Sequence, residues 1–248
     1  MKDKHYRHSI LVGISLILLS VLFYFIHYAV FRDSHHIFLY LLGDIAFVFI
    51  EVLLVTLIIH QVLNSREKRL MLKKLNMVIG AFFSEVGISL LRKLQGFDCE
   101  RESLSENLLV DDSWPAKKFI DTRKVIRGLD CKIDIQRSDL AGLKAFLLDR
   151  RAFLLGLLEN PNLLEHEDFT ELLWAVFHLT EELLHRESVQ GLPKSDYQHL
   201  SVDAKRAYTL LVIEWLSYMK HLKENYPYLF SQAVRINPFN PKACVEVI

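Results

Sequence analysis

The stretch HHIFLYLLGDIAFVFIEVLLVTLIIHQVL, residues 35–63, is apolar almost throughout, yet it carries two carboxylates, Asp44 and Glu51. From 37 to 63 a helix would rise about 40 Å, more than the roughly 30 Å hydrocarbon core of a bilayer. Upstream, residues 9–31 hold no charged side chain apart from a protonatable His27, and would rise about 34 Å. Both segments are predicted to span a membrane with some tilt. The first is longer than a signal-peptide core and no small-residue cleavage site follows it, so an uncleaved span is expected.

Between the spans, RDSHH leaves room only for a tight turn, so the expectation is an antiparallel hairpin. Lys2, Lys4 and Arg7 precede it and Arg66, Lys68, Arg69, Lys73 and Lys74 follow it, against Arg32 alone in the turn. That asymmetry predicts two spans in the plasma membrane with both termini cytoplasmic. The five basic residues after the second span are expected to meet lipid headgroups.

The carboxylates need partners that lipid does not supply. Asp44 and Glu51 are seven positions apart and so share a helix face. On the first span Ser20, Tyr24 and His27 form a polar stripe, with Gly13 on the same side. Depth counted from the turn puts Tyr24 and His27 level with Asp44, and Ser20 near Glu51. The prediction is that the stripes face one another as an intramembrane polar network. It serves either as interhelical glue in a self-assembling anchor or as a proton or cation route through an oligomer; a lone hairpin has no room for a pore.

From residue 65 onward charges are dense and the pattern changes. Leu72, Leu75, Ile79, Phe82 and Val86 recur at three- and four-residue steps, giving an amphipathic helix over 65–95 that packs on the domain or pairs with a second copy. Residues 96–113 are acidic and weakly periodic and read as a linker with one short helix. Residues 114–225 read as a bundle of helices punctuated by Gly128, Asn160-Pro161, Gly191 and Pro193, with Ser138-Asp139 and Asp168 as caps and a last helix from about Val202 to Asn225. Its stripe of Tyr208, Leu211, Val212, Trp215, Leu216, Met219 and Leu222 is a core face. Residues 226–248, rich in proline and aromatics, are expected to wrap the bundle through Tyr226, Tyr228, Phe230 and Phe239, or to offer a peptide to a partner. The fold class is therefore all-α: a transmembrane hairpin at 1–64 followed by a cytoplasmic helical bundle.

Function is less legible. A formal net charge of zero argues against nucleic-acid binding through bulk electrostatics. Cys99, Cys131 and Cys244 have no ligand spacing and are expected as free thiols, and no P-loop, GxGxxG, GxSxG or HExxH motif is present. Glu182-x-x-His185 has the spacing of helical carboxylate metal sites, and Glu171, His178, Glu182 and His185 share a face. Phe169, Leu173, Val176, Phe177, Leu183 and Leu184 occupy the opposite face, so that stripe is expected to be solvated or to touch another subunit. His178, Glu182 and His185 remain weak metal candidates, with no cofactor expected. The reading is a non-enzymatic membrane protein whose hairpin anchors and oligomerises an interaction or regulatory domain. An oligomeric channel and a metal-dependent enzyme are the alternatives.

Overall fold

The computed structural model describes residues 2–161, 163 and 166–246, and gives the backbone path alone for 2–10 and 66–74. It is all-helical, with no strand among the described residues beyond an isolated bridge between Asp98 and Ile133. The helices are α1 (Lys2–Phe31), α2 (Ser34–Phe82), α3 (Ile88–Gln95), α4 (Arg101–Glu106), α5 (Ala116–Gly128), α6 (Leu140–Leu158), α7 (Glu167–Leu184), α8 (Lys194–Asn225) and α9 (Pro227–Arg235). The chain divides into two compact units, 1–68 and 69–248.

In the first unit, Arg32 turns the chain with a positive φ of 48° between α1 and α2. Asp33 Oδ1 accepts from the His36 amide at 3.1 Å, which steadies the start of α2. Residues 11–31 and 34–65 are long and apolar enough to cross a membrane, and no part of either is buried by the rest of the protein. The third such stretch, 75–95, is different, because nearly half of it is buried in the second unit's core.

In that second unit α8 is the central element, packed by α3, α5, α7 and α9, while α6 lies on α7 and α3. Pro193 precedes α8 in extended conformation, and Asp196 sits in the first turn, where the positive end of the helix dipole favours an acid. Tyr226-Pro227 stops it, since proline cannot donate the next backbone hydrogen bond. Its expected core face is buried from Tyr208 to Leu222. The helix starts eight positions earlier than the sequence suggests, at Lys194 instead of Val202. The polar first turns hide the start, although Leu200 is already in the core.

Three further expectations are corrected. Residues 96–113 hold the expected short helix, α4, but are packed into the core instead of linking: Phe97, Leu104, Leu108 and Val110 are all buried. Six helical residues are too few to show a period, so an acidic surface masks the apolar contacts. α7 is capped by His166, whose Nδ1 accepts from the Phe169 amide at 3.1 Å. Asp168 instead receives Arg123 and Arg127, each at 3.0 Å. In the C-terminal segment Phe230 and Phe239 are buried, but Tyr228 is 70% exposed, so this ring fills no groove.

Between α2 and α3 the residues Phe83–Gly87 form one wide π-turn. Phe82 and Phe83 both enter the core there, Phe83 stacking on Tyr218 at 4.8 Å and Phe82 meeting Phe169 edge-on at 5.3 Å. Gly87 makes this possible. A Cβ at that position would lie 2.5 Å from Phe83 Cδ1 and 3.1 Å from Phe82 Cε1, and neither ring is free to move aside. Leu75, Ile79, Phe82 and Val86 are buried within the same unit, so among the described residues this seam packs on the domain instead of a second copy; the Leu72 side chain lies outside them.

Candidate functional site

The packed pair α7 and α8 brings together side chains that the sequence separates by about a helix and a turn. His178 and Glu182 lie one turn apart on α7, and His199 and Asp203 lie one turn apart on α8. Asp203 Oδ2 lies 3.4 Å from His178 Nε2 and 3.3 Å from His199 Nε2. Glu182 Oε2 lies 3.6 Å from His199 Nε2, and Glu182 Oε1 lies 3.9 Å from His178 Nε2. One ligand atom from each of His178, Glu182 and His199 falls within 4.8 Å of the others.

The members differ in exposure. The imidazoles are about half open to solvent, with side chains 47% and 51% exposed, whereas Asp203 is only 5% exposed. Its Oδ2 accepts no hydrogen bond. Two ring nitrogens sit close to a buried carboxylate oxygen without hydrogen-bonding to it. Glu182 is fixed from outside: Arg186 Nη1 donates to Oε2 at 2.8 Å, and that bond, with the guanidinium charge, holds its carboxyl below the usual carboxylate range. Arg186 also grips both oxygens of Asp196, at 2.6 and 2.9 Å. Imidazole nitrogens and carboxylate oxygens converging in this way can accept one divalent cation, or can pair as imidazolium and carboxylate when the histidines are protonated.

Of the sequence-predicted candidates, His178 and Glu182 are in this cluster and His185 is not. His185 Nδ1 lies 2.8 Å from Glu181 O of its own helix. Glu171 is exposed on the same helix, two turns before His178. Sequence reasoning missed His199 and Asp203. The available signal was a second His-x-x-x-acid pair matching the His178/Glu182 pair, which only the packing of α8 brings alongside. The α7 stripe is therefore covered in part by α8. Phe177 is only half-buried and Leu184 is exposed, so the apolar face is narrower than its sequence suggests.

Two other buried polar groups stand apart. Glu214 on α8 is 1% exposed with neither oxygen hydrogen-bonded, and Arg123 Nη2 approaches no closer than 3.9 Å. Near α4, burial pushes the pKa values of Asp98, Cys131 and Tyr208 upward and so favours their neutral forms.

Among the described residues, the side chains expected to form the hairpin network are not brought together within the single chain. Asp44, Glu51, Ser20 and Tyr24 are exposed, and among the described residues no hydrogen bond or ion pair joins Asp44 or Glu51 to any of them. His27 stacks on His36 at 6.2 Å instead of reaching Asp44. Among the described residues α1 and α2 are not closely packed on one another. Apolar helices gain little from one another that lipid does not also give, and one polar stripe is too sparse to draw them together. The side chains of Arg66, Lys68, Arg69, Lys73 and Lys74, expected at headgroups, lie outside the described residues.

Comparison with known proteins gives the same two-part division. Residues 2–63 match the N-terminal helical domain of MJ1433, and 71–235 match the C-terminal helical domain of the Uncharacterized protein MJ1433. The chain belongs to the MJ1433 family. It is 49% identical over 245 residues to the Uncharacterized protein MJ1433 of Methanocaldococcus jannaschii, covering 99% of this chain and 98% of that one. No solved structure matches. The α7–α8 cluster lies wholly within the C-terminal MJ1433 domain, and the two apolar helices belong to the N-terminal one.

Proposed function

We propose that this MJ1433-family chain is a membrane-anchored helical module. Its two N-terminal helices cross the plasma membrane with both termini cytoplasmic, and 69–248 serves as a non-enzymatic interaction or regulatory domain at the membrane surface. The observation that carries the reading is the contrast between the units. Residues 11–31 and 34–65 expose apolar side chains on every side, whereas the second unit has a closed core of its own.

The exposed thiols Cys99 and Cys244 supply the test. A membrane-impermeant maleimide is expected to leave both unlabelled in intact cells and to modify them after lysis. A cysteine introduced as His35→Cys in the turn is expected to react from outside. Labelling of Cys99 in intact cells, or recovery of the protein in the soluble fraction without detergent, overturns the reading.

Asp44 and Glu51 support self-assembly of the anchor. An unpartnered carboxylate on a membrane helix is costly, and a second copy can supply partners that the first span does not. Replacing both, as Asp44→Leu with Glu51→Leu, is expected to convert an oligomer into a monomer in mild detergent; a monomeric parent protein rules the assembly out. Cation flux in liposomes that disappears with Asp44→Asn and Glu51→Gln would assign the pair to conduction instead.

A further inference from the structure

We infer that His178, Glu182, His199 and Asp203 form a binding site for one divalent metal ion of the zinc class, held between α7 and α8. Three features converge on this. The donor set is two imidazole nitrogens and two carboxylate oxygens, which suits zinc and its first-row neighbours. The spacing is right: bonds of about 2.0–2.2 Å arranged tetrahedrally place ligand atoms roughly 3.3–3.5 Å apart. Asp203 Oδ2 is 3.3 and 3.4 Å from the two imidazole nitrogens, and Glu182 Oε1 is 3.9 Å from His178 Nε2, a gap that a small side-chain rotation closes.

The third feature is Asp203 itself. It is more than nine-tenths buried, and its Oδ2 accepts no hydrogen bond while facing both rings. A buried acceptor left in that state is costly, and a cation bound between Asp203 and the two rings removes the cost. Formal charge also balances, since two carboxylates neutralise a dication and the histidines bind as neutral imidazoles. Arg186 positions the fourth ligand by holding Glu182 Oε2, which leaves Oε1 turned toward His178. With ligands on both helices, the ion clamps α7 to α8 across residues 185–193.

The test uses tag-free full-length protein in detergent, stripped with a chelator and titrated with Zn²⁺ by calorimetry and with Co²⁺ by visible absorption. One equivalent of Zn²⁺ and an intense tetrahedral Co²⁺ band are expected. His199→Ala is expected to weaken binding by more than the roughly tenfold to hundredfold that loss of an outer partner such as Arg186 costs. Asp203→Asn is expected to do the same, and His185→Ala and Glu171→Gln to leave the titration unchanged. Should Asp203→Asn fail to fold, His199→Ala decides alone, because its side chain is half exposed and its loss leaves the core intact. Zn²⁺ binding that survives His199→Ala, or a Co²⁺ spectrum without the tetrahedral band, overturns the site. Neither result depends on membrane topology, so this inference and the anchoring model fail separately.

Discussion

At pH 8, Glu214→Gln is expected to stabilise the protein by up to about 3 kcal/mol, and at pH 4.5 to change stability little. Burial on α8 pushes the Glu214 carboxyl from 4.5 to about 7, Arg123 pulling weakly against the shift and Asp168 adding to it. A folded-state value above the unfolded one means that the native protein prefers the protonated acid. Its contribution is fully present below pH 4.5 and is lost as pH rises through about 7. The rise from 4.5 to about 7, at 1.36 kcal/mol per pH unit, gives the magnitude. No discount for solvent applies to a residue 1% exposed. Urea midpoints for parent and variant, measured from pH 4.5 to 8, should separate as the medium becomes alkaline. A gap that is absent at pH 8, or that opens toward acid, would mean that the carboxylate is stably paired with Arg123 after all.

Trp215→Ala should cost about 3–5 kcal/mol, the range for removing a large aromatic from a packed core. Trp215 is fully buried, and Phe239 meets it edge-on with ring centroids 5.0 Å apart. The same substitution unseats the C-terminal segment. Asn237, itself buried, donates from Nδ2 to Leu108 O at 2.9 Å and accepts the Phe239 amide at 2.9 Å. With Trp215 gone, Phe239 loses the surface that repays ordering residues 237–240. The variant should therefore show a lowered unfolding midpoint together with rapid proteolysis after Ile236. An unchanged midpoint, or a protected C-terminus, would contradict the packing described for this pair.

The helical class and the two long apolar helices were legible because their signals are local. An uninterrupted apolar run and a three-and-four spacing do not depend on where the chain goes next. Proline and glycine punctuation placed α5 and α6 within a residue or two, and Asp139 caps α6 through the Gly142 amide at 2.8 Å. What failed depended on partners distant in sequence. Leu104 and Leu108 gain their meaning from the bundle they enter, and His199 and Asp203 from α7 beside them. The polar side chains of α1 and α2 misled for a related reason. Stripes that match in depth do not by themselves bring two helices together, and Asp44 and Glu51 remain exposed in the single chain.

The wide turn at Phe83–Gly87 also gives the chain longitudinal slack. A helix loop of this kind takes up one surplus residue locally, so contraction to an ordinary turn would leave Leu90, Leu91 and Leu94 still facing inward. The same one-residue shortening in the middle of α8 has no such reservoir, and would swing everything downstream by about 100° away from its neighbours. Chain length is thus negotiable at this turn and rigidly enforced along the domain's central rod.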